Sequence, residues 1–168
     1  MIMKKLITVF LFCLFLPTVT HAYCNFEFVS MENNLNSLIH KLPGLDQNLD
    51  AGESPYEVKV SSQDICTDPQ YKDMRLMFTF IENQLHHIEL KDRNNKVDHL
   101  QNLIYQYGNP STMQDNKGSS GIKYYHWDLS FRQVFLIIKF SQAESFTLIE
   151  ITSDKYTQLM QNYHEDIQ

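Results

Sequence analysis

The sequence has no lysine- or arginine-rich run. Its 14 basic residues are scattered against 20 acidic ones, for a formal charge of −6. Phosphate binding needs a concentrated basic footprint, so nucleic acid is not an expected partner, and neither is an anionic membrane surface. Only one long apolar run occurs, Leu6 to Leu16, at the very start. It is shorter than the roughly 20 residues that a spanning helix needs, so no membrane span is expected once it is removed. The short catalytic signatures G-x-S-x-G, H-E-x-x-H, P-loop and G-x-G-x-x-G are all missing. Nothing local therefore points to a serine nucleophile, a zinc protease or a nucleotide site, and neither a cofactor nor a metal is expected. A dispersed triad leaves no such trace. A small exported hydrolase, or another small-molecule enzyme with a dispersed site, thus stands as the alternative to a non-enzymatic protein.

The start of the chain has the layout of a secretory signal. Lys4 and Lys5 precede the apolar run, and Thr20-His21-Ala22 offers small-residue cleavage after Ala22. Residues 1–22 are read as that signal, which directs the protein to the periplasm or the extracellular space. Its loss removes two lysines and no acid, and leaves a chain within the usual size of one domain. Cysteine is scarce as well. Cys13 leaves with the signal, so Cys24 and Cys66 meet in an oxidising compartment, where two cysteines most simply form one disulfide. A redox or metal-binding pair is the alternative, but there is no C-x-x-C and no basic cluster to hold a thiolate. Tyr23 stands where a lipid-attachment signal needs a small residue, which argues against a lipid anchor at Cys24.

Helical and strand periods then alternate along the chain. Met31, Leu35, Leu38, Ile39 and Leu42 form one helical stripe, capped by Ser30 and stopped by Pro43-Gly44. A loop over 46–55 follows. Tyr56 to Ser61 alternates as a strand, residues 62–73 form a second loop, and Met74–Ile81 and Leu85–Lys91 make a hairpin around Glu82-Asn83. Val97, Leu100, Leu103, Ile104 and Tyr107 form a second stripe, capped by Asn94 or Asn95 and ended by Gly108 and Pro110. Ser111 to Gly121 reads as a mobile polar loop. Strands are expected over Ile122–Leu129, Gln133–Phe140 and Ser145–Thr152. A short final helix, capped by Ser153, carries Tyr156, Leu159, Met160 and Tyr163 on one stripe. The expected fold is α+β: two helix-plus-three-stranded antiparallel units, 23–93 and 94–168, the second ending in the C-terminal helix. The matching element order suggests a duplicated unit.

Val97-x-x-Leu100, Tyr107-Gly108-Asn109-Pro110, Tyr125-His126-Trp127 and the strand Leu136–Phe140 together resemble a known small-domain layout. It is that of the small lipoprotein of the outer-membrane barrel-assembly machinery, and tandem units of this kind also occur in β-lactamase inhibitor proteins. The resemblance implies a non-enzymatic module that binds other proteins, and no site residue is carried over from it.

Candidate site residues come from strand alternation. His86 and His87 point to opposite faces, so one metal cannot take both, and they read as solvent-edge residues. His40 and His99 lie off the apolar stripes and are expected in solvent. Asp128, Glu144 and Glu150 are candidates for a carboxylate pair across the second sheet. Tyr125, Trp127 and Leu129 share one face of their strand, with Tyr124 and His126 on the other. His126 reads either as a ligand-binding residue or as a hydrogen-bonded sheet histidine. On the next strand Val134, Leu136, Ile138 and Phe140 lie on one side, with Phe135 and Ile137 on the other. Ile149 and Ile151 add apolar surface beside them. A sheet covered on one face alone should alternate apolar with polar. This one does not, so its second face must be covered by the protein itself, by a partner or by a second copy. Tyr124, His126, Phe135 and Ile137 are the candidate binding residues. The expected function is an exported binding protein acting through protein–protein contacts, as an inhibitor or an envelope assembly or chaperone-like factor. Homo-oligomerisation is compatible with it.

Overall fold

A computed structural model describes residues 24, 26, 29–42, 54–66, 68–95, 97–115, 121–141 and 144–166. The expected signal sequence at 1–22, the expected Pro43-Gly44 stop and most of the expected 46–55 loop lie outside the described residues.

Among the described residues seven strands form one antiparallel sheet. In chain order they are Tyr56–Val60 (β1), Arg75–Ile81 (β2), Gln84–Asp92 (β3), Thr112–Asp115 (β4), Gly121–Leu129 (β5), Arg132–Phe140 (β6) and Phe146–Ser153 (β7). Their spatial order is β1-β2-β3-β7-β6-β5-β4. The α+β class is as expected, but the two separate units are not. β3 pairs with β7 from His87↔Thr152 to Asp92↔Thr147, which merges the strands of both halves into one sheet. The gain is a continuous core. Val58, Phe78, Ile88, Ile151, Val134 and Trp127 stand opposite one another across six strands, and all are buried. Val60, Leu76, Leu90, Ile149, Leu136 and Tyr125 form a second such row. Two separate sheets would leave β3 and β7 as bare edges, which sheets avoid.

Turn chemistry fixes the hairpins. Ile81 pairs with Gln84, and both intervening residues, Glu82 and Asn83, have positive φ, as a two-residue primed turn requires. β4 corrects the expected mobile loop. All four of its residues are exposed, so no burial pattern marks it; it exists because the edge of β5 offers a backbone template, Thr112↔His126 to Asp115↔Lys123. The rest of that loop, 116–120, lies outside the described residues.

The first two helices are shorter than their stripes. The first is Leu35–Ile39 (α1), capped by Asn34, whose side chain accepts from Ser37 N at 2.8 Å. Ser30 does not cap it. Glu32 has a φ of 66°, and residues 32 and 33 hydrogen-bond to Leu85 in place of entering the helix. Leu35, Leu38 and Leu42 are nevertheless buried, as the stripe requires. The second helix is His99–Tyr107 (α2), capped by Asp98, not by Asn94 or Asn95. The amides of those asparagines are held by Asp92 Oδ1. Gly108 does end the helix, at a φ of 78°, and Trp127 Nε1 donates to its carbonyl at 2.8 Å, tying the helix end to the sheet. The third is Tyr156–Asp166 (α3). Ser153 is not its cap but the last residue of β7, with its hydroxyl 2.7 Å from His86 Nδ1.

The Cys24–Cys66 disulfide is formed. Gln106 Nε2 donates to Cys24 O, so the same corner also holds α2. Among the described residues no helix is long and apolar enough to cross a membrane.

Candidate functional site

The sheet has two unlike faces. One carries the core rows above, together with α1 and α2. The other is built by the alternate residues of the same strands. On β7, β6 and β5 the facing positions run in three rows: Glu150–Phe135–His126, Leu148–Ile137–Tyr124 and Phe146–Lys139–Ile122. None of these apolar side chains joins the core cluster, although their neighbours Leu136 and Ile138 do. They are half-buried, and Ile122 is 46% exposed.

All four candidate residues meet on this outer face. His126 stands opposite Phe135 and Tyr124 opposite Ile137. The His126 and Phe135 rings stack at 4.7 Å, and Tyr124 tilts against Phe135 at 5.9 Å. His126 stacks; it makes no hydrogen bond through Nε2 among the described residues. Burial, and then the Glu150 charge, raises the Tyr124 hydroxyl above its usual range, so it stays protonated as a donor. Ile149 and Ile151 do not belong here: they are buried on the core face, and Phe146 and Leu148 are the residues that extend the patch. Register alone separates the two pairs, because a one-residue slip exchanges the faces.

The patch has charged borders. Lys91 and Lys139 lie over the Phe146 ring and share Glu144, at 3.9 and 3.6 Å. At the other end Glu150 lies 3.7 Å from His87. Tyr156, the first residue of α3, stacks on His87 at 4.9 Å. Burial, with Glu150, Glu57 and Glu89 behind it, raises the Tyr156 hydroxyl. α3 therefore begins over this face at β3, beside Glu150 of β7. Its inward stripe is half-buried: Tyr156, Leu159, Met160 and Tyr163.

Other candidates are dispersed. His86 is buried on the core side, not at a solvent edge, and His87 is half-buried on the outer face; as expected, the two diverge. His40 is exposed. His99, expected in solvent, is only 3% exposed and lies 3.2 Å from the buried carboxylate of Asp92. Its position as the first residue of α2, just past the β3 end, turns it inward despite the stripe. Asp128, Glu144 and Glu150 are not brought together: Glu144 serves the lysines, Glu150 faces His87, and Asp128 is exposed. Among the described residues no group of three or more metal-binding side chains converges.

One cleft of about 700 Å³ opens at the β5–β6 turn, between Met31, Glu32, Leu129, Phe131, Arg132 and Lys155. Sequence reading missed it because its walls come from three distant segments. Phe131, at the turn, is 83% exposed. Glu32 and Lys155 pair across the cleft at 2.8 Å, which lowers the carboxyl and raises the amine from their usual values.

No protein family matches the chain, and no curated protein matches it. Among solved structures it is similar to an extracellular protein containing a SCP domain from Bacillus anthracis, at 8% identity and a TM-score of 0.35. The likeness covers 75% of this chain and 45% of that one. At that score it sets neither fold nor function.

Proposed function

We propose that this is an exported, non-enzymatic protein, periplasmic or extracellular, that binds protein through the outer face of β5, β6 and β7. The observation that carries the reading is the apolar patch Phe135–Ile137–Tyr124–Leu148, half-buried on the sheet face opposite the core and outside the core cluster. Contiguous apolar surface of this kind marks interaction sites, and aromatics with one polar end suit them. The resemblance to barrel-assembly and β-lactamase-inhibitor modules points the same way, toward inhibition or assembly. The disulfide fits an oxidising compartment.

The alternative, a small-molecule enzyme, would find its polar groups at the cleft. There Glu32 and Lys155 neutralise each other, and each is held in its charged form. A general acid or base needs its pKa moved toward neutrality, the opposite direction.

The test is Phe135→Glu combined with Ile137→Lys. Folding should survive with a melting temperature near that of the unaltered protein, while crosslinking from a photoreactive group at Tyr124 is lost. If the two side chains are core, their loss costs about 1.5–3 kcal/mol each, the melting temperature falls sharply, and the proposal is wrong.

A further inference from the structure

We propose that His86, Glu32 and Lys155 form an acid-released latch across the cleft at the β5–β6 turn: when His86 takes up a proton, the Glu32 carboxylate turns from Lys155 to the imidazolium and the cleft opens. The inference does not depend on the outer face or on what binds there. Three segments distant in sequence meet at this point. Glu32 and Lys155 both line the cleft and pair at 2.8 Å, which joins the segment before α1 to the turn between β7 and α3. Glu32 is held by its backbone. Its φ of 66° is one that a residue with a side chain seldom adopts, and its amide donates to Leu85 O at 2.7 Å. That bond sets residue 32 beside the start of β3, where His86 follows Leu85. From the other side, Ser153 ends β7 two residues before Lys155, and its hydroxyl lies 2.7 Å from His86 Nδ1.

The His86 ring is 2% exposed, and charges from three elements act on it. Burial holds it below its usual 6.5. Against that, Glu32 from the segment before α1 favours the charged ring, Lys155 from the β7–α3 turn opposes it, and Glu82 from the β2–β3 turn favours it. Ser153 is neutral, and Arg132, its partner on β6, directs its guanidinium to the Tyr107 ring at 5.3 Å. The Lys155 hydrogen bond and charge lower the Glu32 carboxyl below its usual 4.5, and His86 adds to that. The signs set the window. The ring stays neutral until the pH falls below 6.5, and the carboxylate is still ionised when the ring begins to take a proton from solvent. Glu32 then has two cations to choose between. The Lys155 side chain is 64% exposed, so it loses little by returning to water. The buried imidazolium cannot hydrate and needs the carboxylate, so Lys155 yields. Without that bond the two walls of the cleft are no longer tied where Glu32 met Lys155.

NMR of the disulfide-intact protein, with its lysines isotopically dimethylated and the Lys155 signal assigned through Lys155→Arg, follows both partners from above pH 6.5 down to 4.5. The His86 ring should titrate below 6.5, and the Lys155 signal should move with the same midpoint. A Lys155 signal that stays still while His86 titrates overturns the latch, and so does a ring that stays neutral until the chain unfolds. Glu32→Gln changes a side chain that is 45% exposed, so folding should survive. It should abolish the step at Lys155 and move the His86 midpoint lower, and an unmoved midpoint shows that Glu32 does not act on the ring and overturns the proposal. Spin labels on Ser30→Cys and Ser130→Cys, both exposed and both lining the cleft, read the opening itself. Their separation should lengthen on acidification in the otherwise unaltered chain, and should be long at both pH values with Glu32→Gln. An otherwise unaltered chain with the same separation at both pH values overturns the opening, and the proposal with it.

Discussion

Asp92→Ala tests how α2 is fastened to the sheet. Asp92 is the last residue of β3 and His99 the first of α2, and both side chains are 2% exposed. One carboxylate oxygen lies 3.2 Å from His99 Nε2, and the other accepts from the Asn94 and Asn95 amides at 2.8 and 3.1 Å. Among the described residues the His99 Nδ1 has no hydrogen-bond partner. Removing the carboxylate therefore leaves both ring nitrogens buried and unpaired. Leaving buried polar groups without their partner costs about 1–3 kcal/mol each, so roughly 3–5 kcal/mol for the imidazole and the two amides together. For a chain of this size that corresponds to a fall of about 6–20 °C in melting temperature. Glu144→Ala is the control. Its carboxylate also meets two cations, Lys91 and Lys139, but it is 54% exposed, and such pairs contribute about 0–1 kcal/mol. Thermal and urea unfolding by circular dichroism compare the two, with Asp92→Asn expected between them because it keeps an acceptor for the amides. If Asp92→Ala falls no further than Glu144→Ala, the dyad is not what holds α2, and the reasoning fails.

Two further predictions concern the disulfide and His86. Replacing Cys24 and Cys66 together by serine opens a loop of sequence separation 42, and the chain-entropy estimate is a loss of about 4 kcal/mol. Urea unfolding measures it, and a loss below about 1 kcal/mol would mean the staple restrains little of the unfolded chain. Burial lowers the His86 pKa from its usual 6.5. The unfolded chain then takes up the proton first, so stability is complete above 6.5 and declines as the pH falls toward the folded value. His86→Asn should flatten that decline, and an unchanged profile would remove His86 as its source.

Local chemistry carried much of the fold in the sequence. Gly108 ends α2, Glu82-Asn83 turns the β2–β3 hairpin, and the unbroken apolar pattern from Val134 to Phe140 marks a strand with two apolar faces. The same alternation places Tyr124, His126, Phe135 and Ile137 on one surface. The non-local part was not legible. Nothing within β3 or β7 says that each takes the other as its neighbour, because that choice depends on joining two distant core rows. β4 has no apolar signal and exists by pairing alone. Helix starts were misplaced where a tertiary contact outbid the local cap: Glu32 is pulled to Leu85, and Asn94 and Asn95 to Asp92. His99 was misread for the same reason, since its partner lies on another element.

The place of β7 in the sheet has a consequence for synthesis. The strand formed last along the chain is the middle one of seven, bonded to β3 on one side and β6 on the other. A nascent chain that has not yet delivered Phe146–Ser153 holds two strand groups with no shared centre. Contacts this distant in sequence form late and slowly. Until residues 146–153 are free to pair, the polypeptide has no complete sheet, and the two strand groups are joined only when that strand takes its place between β3 and β6.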